Sequence, residues 1–65
     1  MTIGGTIKAA RQALGLTQRD LGIALDIDRV HVGAWEAGRR NPVTKHLAKL
    51  AEVLGLQVTD LLPKR

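Results

Sequence analysis

Only three residues, Asp26 to Asp28, separate two stretches of helical periodicity near the middle of this chain. Apolar residues recur about one helical turn apart in each stretch. Two short helices joined by so short a connection must turn sharply against each other. The sequence therefore predicts a tight helix pair over residues 17–25 and 28–37. The apolar residues expected to pack where the two helices meet are Leu21, Leu25, Ile27, Val32 and Trp35.

Three further helical segments flank this pair. The first ends at Gly15, and either Thr2 or Thr6 would cap its start. The fourth carries a stripe of leucines and ends at Gly55. A last short helix is expected near residues 59–62. Since no segment alternates as a strand would, we expect an all-α fold of five short helices.

Helix starts and stops are marked by polar residues. Thr17 is an acceptable N-cap for the second helix, but Asp20 is shorter than the Glu or Gln of a capping box, so only its charge is expected to help. Asp26 tolerates a left-handed backbone, which suits the turn between the paired helices. The fourth helix starts at Asn41-Pro42 or, alternatively, at Thr44.

Length and charge limit the function classes. Residues 1–65 make a single domain, with ten Lys and Arg against six Asp and Glu, a net charge of +4 and a pI near 10.4. That excess favours a polyanionic partner, although charge for solubility alone is the alternative. No apolar run approaches the ~20 residues that span a membrane. Because the chain also lacks cysteine, we expect a soluble protein of the reducing cytoplasm.

The outward face of the third helix is unusual, because a solvent-facing helix normally carries long polar side chains. Here it presents Arg29, Val30, Gly33 and Ala34. Small residues let a helix approach base edges in a DNA groove, arginine pairs with guanine, and apolar groups meet thymine methyl groups. Alternatively, Gly33 and Ala34 pack against another helix, and Arg29 contacts a phosphate or only solvent.

Two stretches, "LGLTQRDLGIALDIDRVHVGAWEAGRRNP" and "HLAKLAEVLGLQVTDLL", resemble the Cro and C1 repressor type of helix-turn-helix domain, also called the XRE family. The resemblance covers about residues 3–62. It implies a lambda-repressor-like fold of five helices with the third as the reading helix. It also implies binding to a DNA operator, usually as a two-fold dimer.

The same resemblance assigns roles to single residues. Glu36 matches a glutamate that pairs with an arginine of the first helix, here Arg11, so this pair is expected to hold the fold. Apart from the resemblance, the position of His31 predicts a phosphate contact beside the alternative of a boundary histidine, whereas His46 is expected at the surface. The outward face of the third helix likewise predicts base readout by Arg29, Val30, Gly33 and Ala34. Phosphate contacts are predicted for Thr17, Gln18, Arg19, His31, Arg39 and Arg40.

The chain also departs from the family pattern at the helix pair. Asp26 stands where glycine is usual, and Gly22 stands where alanine is usual. We expect both differences to loosen the pair without abolishing it. Apolar Val30 and Ala34 in place of polar readers favour recognition through Arg29, thymine methyl groups and DNA shape.

The sequence contains no pattern of residues that indicates an enzyme. Serine and cysteine are absent, and two histidines without clustered carboxylates do not suggest a zinc site. We therefore expect no catalysis, cofactor, metal or small-molecule substrate. The sequence predicts a dimeric, sequence-specific double-stranded DNA-binding regulator, in particular a repressor of a palindromic operator. The dimer surface is expected around Leu56, Val58 and Leu61, with the equal alternative that these residues belong to the core of their own chain. The alternatives are an antitoxin, a restriction-modification controller protein, or a helical protein-interaction module.

Overall fold

The computed structural model describes residues 2–61, in which four α-helices are followed by a 3₁₀-helix and no strand is present. The described part measures 30 × 23 × 21 Å, and each helix packs against at least two of the others. The all-α prediction is confirmed. The helices are α1 (Ile3–Ala13), α2 (Gln18–Leu25), α3 (Arg29–Glu36) and α4 (Thr44–Leu54), and the 3₁₀-helix is Val58–Leu61.

Side-chain caps decide where α1 and α2 begin. The Thr2 hydroxyl accepts a hydrogen bond from the Gly5 N–H at 3.0 Å, so α1 is capped by Thr2 and not by Thr6. At α2 the expectation for Asp20 was wrong. Its carboxylate accepts the Thr17 N–H while the Thr17 hydroxyl accepts the Asp20 N–H, both at 2.9 Å, which completes a capping box. The hydrogen bond from the Thr17 backbone lowers the pKa of Asp20 below its ordinary value.

The connection between α2 and α3 is as short as the sequence predicted. Asp26 ends α2 with a left-handed backbone (φ 58°, ψ 44°), and Asp28 caps α3 by accepting the Val30 N–H at 3.0 Å. Gly22 does not loosen this pair. A Cβ at that position would lie 2.9 Å from the Ile27 carbonyl oxygen, so glycine permits the close approach of the two segments.

The segment before α4 is extended, and α4 begins at Thr44. The expected start at Asn41-Pro42 is therefore wrong, and the alternative start at Thr44 is confirmed. Val43 occupies the N-cap position without a side-chain hydrogen bond to the helix. The apolar stripe predicted for α4 is confirmed, since Leu47, Leu50, Ala51 and Leu54 are all buried.

One hydrophobic core lies between the helices. Trp35 is 5% exposed and its ring lies 6.0 Å from that of His46, which is half-buried and not at the surface as expected. The predicted last helix is a 3₁₀-helix ending at Leu61, while Leu62 lies outside the described residues. The side chains that are fully buried are Ile7, Leu21, Val32, Leu50 and Leu61.

Candidate nucleic-acid interface

One side of α3 is exposed to solvent, while the other side is buried in the hydrophobic core. Val32 and Trp35 are buried, whereas Arg29 is exposed and Val30 is 66% exposed. Gly33, one turn after Arg29, is partly exposed. Such an arrangement leaves a strip of α3 that carries one cation, one aliphatic side chain and bare backbone. We call Arg29, Val30 and Gly33 the α3 strip.

Ala34 does not belong to this strip, and the expectation of an exposed methyl group there is wrong. Its side chain is buried, with 9% exposure. The carbonyl of Ala34 accepts the N–H groups of Arg39 and Arg40, at 3.0 and 3.4 Å, where the chain turns at the end of α3. Since the side chain itself is buried, no free methyl group is available at position 34.

Packing inside the chain does not require glycine at position 33. A Cβ built there would lie 3.6 Å from Oε1 of Gln18, an ordinary van der Waals distance. Gly4 and Gly22 differ, since a Cβ at either would meet backbone atoms of another segment too closely. The helix nevertheless forgoes about 1 kcal/mol of helix propensity relative to alanine at Gly33. Packing within the chain therefore does not account for glycine at position 33.

A buried ion pair fixes the end of α3. The Arg11 guanidinium donates to Glu36 through Nε (2.7 Å) and Nη2 (2.9 Å), and Nη1 donates to the Leu16 carbonyl at 2.7 Å. Gln18 Nε2 donates to Glu36 Oε1 at 3.2 Å. This ion pair, predicted from the sequence, joins α1 to α3, while Gln18 ties the start of α2 to the same carboxylate.

The ionisation of Glu36 follows from these contacts. Burial opposes its charge, but the hydrogen bonds from Arg11 and Gln18 and the charges of Arg11 and Lys8 outweigh burial. The pKa of Glu36 therefore lies below its ordinary value. The hydrogen bond with Glu36 in turn raises the pKa of Arg11. Both groups are charged near neutral pH, so the pair acts as a structural element.

The residues predicted to contact phosphates are exposed on segments next to the α3 strip. The backbone N–H of Thr17 is already used by Asp20, which leaves its hydroxyl proton for an external acceptor. The Oε1 atom of Gln18 lies next to Gly33, 3.6 Å from the position that a Cβ would occupy there. The exposed members of this set are Thr17, Gln18 and Arg19 at the start of α2, His31 on α3, and Arg39 and Arg40 after α3.

Sequence reasoning did not single out Ile23, which is 67% exposed on α2. The sequence did indicate this exposure, because Ile23 lies outside the apolar stripe formed by Leu21 and Leu25. An apolar residue off the buried face of a helix does not reach the hydrophobic core. Within residues 2–61 no group of three His, Asp or Glu side chains is placed to hold a metal ion. In the same range no helix has the length and apolar character needed to cross a bilayer.

The short α2, the three-residue connection and the open strip on α3 define a helix-turn-helix domain. A family model described as "Helix-turn-helix" matches residues 7–61. The chain belongs to this helix-turn-helix family, of the Cro/C1 type.

Similar proteins include regulators of transcription. The chain is 42% identical over 62 residues to the HTH-type transcriptional regulator DicA of Escherichia coli K12, and the match covers 95% of this chain but 46% of that relative. The P22 c2 repressor, solved with a synthetic operator, superposes with a TM-score of 0.91 at 27% identity, covering 95% of this chain and 94% of the repressor chain. The restriction-modification controller protein C.AhdI of Aeromonas hydrophila gives a TM-score of 0.82 at 33% identity, with 92% and 91% covered.

Proposed function

We propose that this chain is a sequence-specific double-stranded DNA-binding regulator of transcription, acting as a dimeric repressor. One observation carries the proposal: the α3 strip of Arg29, Val30 and Gly33 is open, and packing within the chain does not account for the glycine. The solved repressor–operator complex with the same fold supports this assignment. The proposed location is the cytoplasm, and the proposed role needs neither catalysis nor a cofactor.

In this proposal α3 enters the major groove and reads bases through the α3 strip. Arg29 would pair with guanine through O6 and N7, and the Val30 side chain would meet a thymine methyl group. Bare backbone at Gly33 would let the helix lie close to the base edges. Because Arg29 is the single charged residue of the α3 strip, much of the specificity would come from apolar contacts and DNA shape.

Phosphate contacts would orient the helix without reading sequence. Residues on either side of the groove would share this role. Thr17, Gln18 and Arg19 would meet one strand from the start of α2, and Arg39 and Arg40 would meet the backbone from the turn after α3. His31 would add a contact beside the strip. These cations also give the attraction its dependence on salt.

A two-fold dimer would present two reading helices about 34 Å apart, matching a palindromic operator. The predicted dimer surface around Leu56, Val58 and Leu61 needs one correction. Leu61 is fully buried in the core of its own chain, so it is not available to a partner. Val58 is 41% exposed and Leu56 is half-buried beside it, and these two residues carry the dimer proposal.

The experiment is selection of bound duplexes from a random-sequence pool, followed by titration of the selected and a random duplex at two salt concentrations. A protein that recognises base sequence binds the selected duplex much more tightly than the random duplex at both salt concentrations. Phosphate attraction alone gives a steep salt dependence with no preference. If no duplex is enriched from the pool, the proposal fails and a protein-interaction module takes its place.

A second candidate is a restriction-modification controller protein, which the likeness to C.AhdI favours. It would use the same α3 strip and the same dimer. The two candidates differ in what they regulate, so the identity of the selected duplex separates them. A sequence found upstream of restriction and methylation genes supports the controller, and any other location supports the repressor.

A further inference from the structure

An open cleft of about 490 Å³ lies on the outside of the helix pair, beside the α3 strip. It is lined by residues of α2, of the connection and of the start of α3. Neither the core nor the capping contacts fill it. The lining residues are Arg19, Ile23, Ile27, Asp28 and Arg29.

The cleft has an apolar component that phosphate binding does not explain. Ile23 is 67% exposed, and Ile27 is half-buried where it packs against the hydrophobic core. Ile27 is thus held in place, while Ile23 on α2 projects an aliphatic side chain into water. Removing such surface from water favours association with an apolar partner.

Two exposed arginines and one aspartate line the cleft beside this apolar component. Arg19 and Arg29 are exposed, and among residues 2–61 the ion pair of Arg11 with Glu36 is the only one present. Asp28 supplies one carboxylate, but that group accepts the Val30 N–H as the N-cap of α3. Two guanidinium groups are therefore available to carboxylates of a partner.

We propose that this cleft is a docking surface for a protein segment in which an aliphatic side chain stands beside one or more carboxylates. DNA phosphates would satisfy the two arginines but would leave Ile23 facing a polar backbone, so the isoleucine favours a protein segment. Arg29 belongs both to the cleft and to the α3 strip. A segment bound in the cleft therefore competes with DNA, a consequence that rests on the proposed function.

Panning of short random peptides displayed on phage against the immobilised chain tests the surface without any DNA. Enriched peptides are expected to carry Asp or Glu next to Leu, Ile, Val or Phe. Synthetic copies should bind Ile23→Gln at least about tenfold more weakly than the wild type, because the main apolar contact is lost. Binding to Arg19→Ala should also weaken, and its loss should shrink at high salt.

Val43→Asn is the matched control, because Val43 is also an exposed aliphatic residue (54%) but does not line the cleft. It should bind the peptides like the wild type. Failure to enrich peptides, or equal affinity of wild type and Ile23→Gln, overturns the docking surface. Loss of the chain's own dimer in Ile23→Gln assigns the surface to self-association, and tighter duplex binding by Ile23→Lys without peptide enrichment assigns it to DNA. Either result contradicts the proposal.

Competition is tested separately. A selected peptide should displace a labelled duplex from the wild-type chain as the cleft fills. A stable complex of chain, peptide and duplex overturns the competition while leaving the docking surface standing. If the chain binds no duplex at all, the proposed function fails, and the peptide experiment still decides the cleft.

Discussion

Arg11 and Glu36, twenty-five residues apart in sequence, join α1 to the last residue of α3 through two side-by-side hydrogen bonds of 2.7 and 2.9 Å. Their side chains are only 10% and 5% exposed. Helix α3 is therefore fixed at its end by a buried ion pair, while its start is fixed by the cap at Asp28. The orientation of α3 depends on both.

Removing one partner of this pair should be costly. We expect Arg11→Met to lower the free energy of unfolding by about 3–5 kcal/mol, since it leaves the Glu36 carboxylate buried and unpaired. The double variant Arg11→Met/Glu36→Leu should recover most of that loss. Urea unfolding followed by Trp35 fluorescence measures both. Lys49→Met, which removes an exposed cation from α4, is the control, and an equal loss there would contradict the assignment.

The stability of the chain should fall in acid because of Glu36. A carboxyl group whose pKa is lowered by folding contributes stability that is complete above its pKa in the unfolded chain, about 4.3 for glutamate, and is lost as the pH falls through the lower folded pKa. Urea unfolding at a series of pH values from neutral to strongly acidic should show this decline. Glu36→Gln should be less stable at neutral pH and should show a shallower acid decline. Glu52→Gln, on the exposed side of α4, should keep the wild-type slope.

Two glycines inside helices should respond to alanine in opposite directions. Gly22→Ala should destabilise the chain by about 1–3 kcal/mol, because the added Cβ would lie 2.9 Å from the Ile27 carbonyl oxygen. Gly33→Ala should stabilise it by up to about 1 kcal/mol, because its Cβ meets only Gln18 at 3.6 Å. Thermal or urea unfolding compares them directly. Destabilisation by Gly33→Ala would show that the glycine serves internal packing after all.

The same Gly33→Ala variant should bind its selected duplex more weakly despite its greater stability. The added methyl group stands on the α3 strip, where close approach to base edges is proposed. Binding of wild type and variant to that duplex, measured at one salt concentration, gives the comparison. Unchanged affinity would remove the steric argument for Gly33.

Arg29→Ala should relax specificity at one base pair by about 1–3 kcal/mol. Binding to the selected duplex should fall, while binding to a random duplex should change little. Lys8→Ala, with the same change in net charge on α1, should leave the preference intact. Equal losses on both duplexes for Arg29→Ala would assign Arg29 to the phosphates.

Arg39→Ala and Arg40→Ala should each weaken binding to every duplex to a similar extent. Each removes one proposed phosphate contact, so the slope of log affinity against log salt should decrease by about one unit. Titrations over a range of salt concentrations measure this slope. An unchanged slope would mean that the exposed turn after α3 does not reach the DNA backbone.

The sequence by itself determined the helices and the tight helix pair. These follow from local rules: apolar spacing of about one turn, glycine stops, and caps such as Asp28 act within a few residues. The ion pair was available only through the family resemblance, because no local rule relates positions 11 and 36. Asp20 shows the limit even of local rules, since a side chain judged too short completed the capping box.

Only the tertiary structure decided which residues of α3 are open. Helical spacing placed Ala34 on the outward face, but its side chain is only 9% exposed in the folded chain. Likewise, whether Gly22 and Gly33 are required depends on which backbone or side chain lies across from each, at 2.9 Å in one case and 3.6 Å in the other. Periodicity describes a helix alone, whereas exposure depends on segments brought together from elsewhere in the chain.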